Sequence, residues 1–240
     1  MTETLFEYDH ILMLSQYRTP DIHTHLAVHL IVGLGAMLHC RVGDSSFDAK
    51  AVIIASDAKH TVYSDSGEML VFLFDPASRY AGELKRLYLH SDSFTLLDEE
   101  QTQTINSLWQ QHSNDLAKAD KAILEYLGLG GADNLQLDTR VAEALEILKE
   151  MDEVPQDAVG YLCERVFLSK SRLSHLFKQN LGISLSRYLA WEKMRKGFIH
   201  FRTYGSITDA ALMAGFDSPS HFAATCKRMF GLSFSEYTKS

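Results

Sequence analysis

The hydrophobic pattern changes period part-way along the chain, and that change requires two differently built parts. In the first third, short runs rich in apolar and β-branched residues lie at 11–17, 25–34, 36–42, 51–55 and 69–74. Turn-forming residues separate them: Gly33, Gly35, Gly43-Asp44-Ser45 and Asp65-Ser66-Gly67. Short strands at that spacing predict a small antiparallel barrel or sandwich. Beyond residue 98 the apolar residues recur at three- and four-residue steps. Ile105, Leu108 and Trp109, then Leu116, Ile123, Leu124 and Leu127, predict two helices broken near 112–115. Asp98-Glu99-Glu100 places negative charge at the first helix N-terminus, where it is favoured. The strongest linker signal follows, in Gly128, Gly130 and Gly131 with Asp133-Asn134.

Everything after the linker reads as helix. Val141, Leu145 and Leu148 form a stripe that ends by Pro155, and Asp157 is placed to cap a short helix reaching about residue 166. Ser169 caps another to about 181, closed by Gly182; Ser184 opens a long one that Gly205 stops. A short helix over 208–214, a turn at Gly215, a helix from about Ser218 and a last one from about Ser233 complete the series. The expected class is α+β, with an antiparallel β-barrel domain over 1–97, a helical dimerisation segment over 98–128, a linker over 129–137 and an all-α domain over 138–240.

Composition removes several other classes. With 46% hydrophobic and 22% charged residues the chain is globular. Its longest largely apolar stretch, 27–40, contains two histidines and is shorter than the ~20 residues of a membrane helix. The first ten residues are acidic and do not resemble a signal peptide. Cys40, Cys163 and Cys226 are too far apart for a metal-binding pair and odd in number, so they read as reduced thiols of a cytoplasmic protein that does not engage a membrane. The net charge of −8 conceals an asymmetry: residues 1–138 carry 9 basic and 20 acidic side chains, and residues 160–240 carry 12 and 5. A basic block on an acidic body is what a nucleic-acid-binding module attached to another domain looks like.

Within the basic block one plan occurs twice. Ala211 and, four residues on, Gly215 precede Ser218 and an amphipathic helix; Cys163 and Phe167 precede Ser169 and another. The two serine caps are 49 residues apart. A small residue lets two helices approach and a turn follows it, which is the layout of a helix-turn-helix. The helix between the units spans about 31 Å at 1.5 Å per residue, close to the ~34 Å turn of B-DNA. Such a rod can offer two recognition helices to successive major grooves.

These residues resemble the AraC/XylS family of bacterial transcription regulators, over 138–240. The likeness is most specific in Gly215-Phe216-x-Ser218-x-Ser220-x-Phe222 and in Lys227, Gly231, Ser233 and Tyr237; the first unit matches in Ser169, Leu173, Phe177-Lys178, Gly182 and Tyr188. Cys226, Phe234 and Thr238 depart from the family's usual Phe, Pro and Arg, and Cys163 and Phe167 stand where small residues are commoner. The resemblance implies a sequence-specific regulator that binds an operator in double-stranded DNA, forms a homodimer, can engage RNA polymerase and senses a small effector through a cupin-like N-terminal domain. Outward positions expected to read bases are Ser171, Arg172, Ser174 and His175 in the first unit and Ser220 and His221 in the second. Ser169, Lys170, Lys178, Ser218, Lys227 and Arg228 are candidates for phosphate contacts. Leu173, Leu176, Phe177, Ala211, Phe216 and Phe222 read as core.

The strand-rich part carries its own constellation. His23, His25 and His29 stand at i, i+2 and i+6, so in one strand all three face the same side. With His60 they look like a cupin metal set in which His29 replaces the glutamate, while Ala55 and Asp57 replace a proline and a glycine of the second cupin motif. Imidazoles suit zinc, nickel, copper or iron; the alternative is a polar pocket for an organic effector. His10 and His39 read as surface or filler. A metal-dependent enzyme or a metal sensor fused to a DNA-binding tail is the competing function, but the cluster lacks the carboxylate of a two-His-one-carboxylate iron site. The expectation is therefore a regulator and not an enzyme.

Overall fold

The computed structural model describes residues 3–15, 20–65, 67–130, 137–231 and 234. Several expected features lie outside them: the end of the first strand at 16–17, Ser66 of one turn, Gly131 and Asp133-Asn134 of the linker, and Ser233, Tyr237 and Thr238. The chain divides into two compact units, Met1–Asn134 together with Arg228–Ser240, and Leu135–Lys227.

The first unit is built on two antiparallel sheets. Six strands pair in the order β1 (Thr4–Phe6), β2 (His10–Ser15), β8 (Glu68–Phe74), β3 (Val28–Leu34), β6 (Ala51–Ile54), β9 (Phe94–Leu96); three more pair as β5 (Ser45–Ala49), β4 (Leu38–Val42), β7 (His60–Tyr63). Strands β2, β3 and β8 are buried on both faces, and their period of two sorts the side chains. Leu12, Val28, Leu30, Val32, Leu70, Phe72 and Phe74 face a core completed by α2 (Glu99–Gln111) and α3 (Leu116–Tyr126). Met13, His29, Ile31, Val71 and Leu73, one position out of phase, line a cavity with the other histidines. The expected strand over 25–34 begins only at Val28, so His23 and His25 are not in it.

Four strands were not legible in the sequence: β1 and β9 have three residues each, β5 is polar, and β7 opens on a histidine. A short helix, α1 (Arg79–Leu84), capped by Ser78, and the π-helical turn Lys85–Leu89 were also missed. The helical pair appears as expected, with α2 started by a capping box between Asp98 and Gln101. Its apolar stripe, Ile105, Trp109, Ile123 and Leu124, packs on the sheet. Leu129 belongs to the same core, and the Gly130 N–H donates to the buried Glu83 carboxylate at 3.0 Å.

His10 is not filler. It is 4% exposed, its Nε2 lies 2.7 Å from Asp120 of α3, its Nδ1 lies 3.2 Å from Asp9, and Phe72 and Phe74 stack beside it. Burial pulls its pKa down, but the hydrogen bonds to Asp120 and Asp9 outweigh burial and raise it to about 9. Because that value lies above the unfolded one near 6.5, the stabilisation is complete below about pH 6.5 and is lost as pH rises through about 9. Denaturant titrations are expected to show a loss of about 3 kcal/mol across that window, and a flatter profile for Asp120→Asn. Identical profiles for the two proteins would contradict this assignment.

The second unit is helical: α4 (Thr139–Glu150), α5 (Ala158–Arg165), α6 (Lys170–Leu181), α7 (Leu185–Tyr204), α8 (Ile207–Met213) and α9 (Pro219–Phe230), the last continuing past residue 227. The expected caps act as such. Asp157, Ser169 and Ser184 accept from the third backbone N–H beyond them, Ser218 accepts from His221, and Gly182 and Gly205 end their helices with positive φ. The short helix starts one residue earlier than expected, behind a Ser206 cap. Helix α7 has 20 residues, about 30 Å. Inside it Arg195 holds Glu192 through two bonds of 3.0 and 2.9 Å, and Lys196 donates to the Met151 carbonyl. Gly197 lets α9 approach: a Cβ there would lie 2.5 Å from the ring of Phe222.

Candidate functional sites

The four histidines reach one point by three routes. His29 projects from β3, His60 opens β7, and His23 forms an isolated bridge to His60 through two 3.0 Å backbone bonds. His25 follows in an irregular stretch whose carbonyl accepts from Asp57 N–H. Asp57 has a φ of +69°, so this turn still needs the left-handed conformation that a glycine supplies most easily, and aspartate tolerates it better than most residues. One potential ligand atom from each histidine lies within 4.8 Å of the others. The cavity beside them is about 20 Å3, enough for an ion or one water.

Hydrogen bonds set the ring protons. Nδ1 of His23 donates to the Asp21 carbonyl and Nδ1 of His60 to the Ala58 carbonyl, both at 2.8 Å, so each Nε2 is a bare acceptor. Nδ1 of His25 accepts from Ala27 N–H at 3.1 Å, which puts its proton on Nε2, aimed at His29 Nε2 2.7 Å away. His29 Nε2 is then also bare, and it faces His60 Nε2 at 3.1 Å. Two nitrogen lone pairs that close repel each other, and a cation between them converts repulsion into coordination. Burial, then the neighbouring histidines, lower the His25 pKa well below its usual value; the same two causes bring His60 to about 4. The rings are therefore neutral at pH 7, as metal ligands must be.

The donor set fits a transition metal. Bonds of about 2.0–2.1 Å at tetrahedral angles separate ligand nitrogens by about 3.3 Å, a small widening of the observed 2.7 and 3.1 Å. His23 and His60 each present an unprotonated Nε2 as they stand, whereas the His29 Nε2 lone pair first has to be released from the His25 proton. His25 would first move its proton to Nδ1 and give up the Ala27 bond.

In the second unit, α6 buries Leu173, Leu176 and Phe177 and leaves Ser171, Arg172, Ser174, His175 and Lys178 exposed. In α9, Phe222, Thr225 and Cys226 are buried, while Ser220, His221, Lys227 and Arg228 are exposed. Ser169 and Ser218 spend their oxygens on helix caps, which leaves each hydroxyl proton to donate. Lys170 pairs with Asp157 at 3.0 Å, and His221 lies 3.3 Å from Asp217, so both have competitors for any outside anion. Arg195 and Lys196, which contribute to the basic balance of this region, are buried against Glu192 and add little outward field. Burial raises the Cys40 and Cys226 thiols to about 12, which removes them as nucleophiles.

Comparisons with known proteins agree with this geometry. Residues 162–240 match the family model of a helix-turn-helix domain. Over 105 residues the chain is 31% identical to the arabinose operon regulatory protein of Escherichia coli (strain K12), covering 42% of this chain and 35% of that protein. It is 30% identical to the arabinose operon regulatory protein of Salmonella typhimurium, over 42% and 36%. The match thus spans little more than a third of these relatives' length. Among solved structures, an apo variant of ToxT from Vibrio cholerae superimposes with a TM-score of 0.61 at 13% identity, over 95% of this chain and 96% of that one. ToxT with an unsaturated fatty acid bound gives 0.58 at 13%, over 99% and 96%. Residues 162–240 thus carry a helix-turn-helix domain, and the whole chain shares its fold with ToxT. Both of these relatives are named as regulatory proteins of the arabinose operon. Among the described residues no helix is long and apolar enough to cross a membrane.

Proposed function

We propose that the protein is a sequence-specific DNA-binding transcription regulator whose N-terminal domain, a cupin-like barrel, responds to a bound transition-metal ion. The observation that carries the DNA-binding half is the pair of capped helices, α6 and α9, each with exposed polar side chains and joined through the 20-residue α7. The domain limits 1–97, 98–128, 129–137 and 138–240 serve as its working boundaries, with two copies pairing through the N-terminal half in the cytoplasm and contacting RNA polymerase at the promoter. Arg172 reads a base, and Lys178 binds phosphate. The test is a comparison of operator and mutated operators. Arg172→Ala is expected to lose about 1–3 kcal/mol of discrimination at one base pair, whereas Lys178→Ala weakens all duplexes alike and lowers the salt slope by about one. Equal loss on every duplex for Arg172→Ala would remove it from the reading set.

For the effector, the four-histidine cluster favours an ion over an organic molecule. One ToxT structure contains an unsaturated fatty acid, but the histidine cavity here, about 20 Å3, is far too small for such a chain. A bound ion would be held by His23, His29 and His60, and His25 would join them on giving up its bond from Ala27 N–H.

A further inference from the structure

The turn between α5 and α6 breaks two local preferences at one residue. Phe167 has a φ of +53°, in the left-handed region that residues with a β-carbon avoid. The residue is 91% exposed. The matching position of the second unit, four residues after Ala211 as Phe167 is after Cys163, holds Gly215 at φ +87°. Glycine would remove both the strain and the exposed ring, and so little exposed a contribution to packing gives the fold no use for a phenylalanine there. Strain that the fold does not need points to function.

The location narrows what the ring meets. Phe167 stands two residues before the Ser169 cap and three before Lys170, at the end of α6 that a helix-turn-helix directs to the groove. Exposed Ser169, Lys170, Ser171 and Arg172 surround that end. A turn residue just outside the recognition helix reaches the edge of the groove, where the backbone offers the apolar faces of its deoxyriboses between the phosphates. We propose that Phe167 packs against deoxyribose beside the major groove that α6 enters, adding affinity without reading sequence. This deepens the DNA-binding reading above and rests on it.

An apolar contact of that kind has a distinctive signature. It displaces no counterion, so its loss leaves the salt dependence of binding unchanged, and it touches no base edge, so all sequences weaken together. The experiment uses the full chain and duplexes that the wild-type protein has selected from a randomised pool. Phe167→Gly is expected to bind selected and mutated duplexes about tenfold more weakly, with an unchanged salt slope and a Tm no lower than wild type. Phe167→Asn, which also tolerates positive φ, is expected to do the same. Lys178→Ala, as control, lowers the slope. Undiminished binding by both Phe167 variants would overturn the proposal. So would a loss confined to one base pair, or a reduced slope. If the wild-type protein selects no duplex at all, the DNA-binding reading fails and takes this contact with it; that result appears before any variant is measured.

Discussion

Gly215→Ala is expected to destabilise the second unit by about 3 kcal/mol and to abolish specific DNA binding. Two costs add at this position. The residue sits at φ +87°, where a side chain costs roughly 1–2 kcal/mol. A Cβ would also lie 2.3 Å from the Val154 carbonyl oxygen, a backbone atom that cannot swing aside, and overpacking of that kind costs about 1–3 kcal/mol. The Gly215 carbonyl in turn accepts from Lys193 of α7 at 2.8 Å, so any shift in the turn is felt by the helix that joins the two units. Denaturant unfolding gives the stability change directly. A variant with wild-type stability and wild-type affinity would show that the turn is far more pliable than this packing implies.

The second large effect concerns the histidines. Addition of nickel, zinc, copper or ferrous iron is expected to raise the Tm of the wild-type protein. At a free concentration one hundred times the Kd the gain is about 2.7 kcal/mol, roughly 5–10 °C for a protein of this size. His29→Ala is expected to lose the shift and at least about a hundredfold in affinity, since even partners beyond the metal's own ligands are worth 10–100-fold. His29 is the nitrogen that both His25 and His60 face, at 2.7 and 3.1 Å. His25→Ala is expected to lose less, because that ring begins in the wrong tautomer. Failure of all four metals to raise the Tm would leave the cluster as pocket lining and remove the ion from the account, with the DNA-binding reading intact.

The helical part of the fold was written openly in the sequence because its punctuation is local. Asp157, Ser169, Ser184 and Ser218 are caps, and Gly182 and Gly205 are stops, each acting within a few residues of itself. The sheets were harder to read because pairing is long-range and three of the missed strands have only three or four residues. The histidine spacing pointed to convergence through one continuous strand, whereas a bridge between His23 and His60 and a bend at Leu26, just after His25, bring the rings together. His10 was misjudged because its partner Asp120 lies 110 residues away, where no periodicity could reveal it. Phe167 was visible as a departure from the family's small residues, but its positive φ and full exposure required the structure. The apolar stripe of α2 and α3, within the segment expected to serve dimerisation, packs on the sheet.

The most direct test of the central claim is selection of duplex DNA by the purified 240-residue chain from a randomised pool, with Arg172→Ala carried through in parallel. The account predicts enrichment of a bipartite sequence whose two elements lie about one helical turn, 10–10.5 bp, apart, with the element read by α6 degraded for Arg172→Ala. Enrichment of no sequence by the wild-type protein, or of the same sequence to the same degree by both proteins, would contradict it.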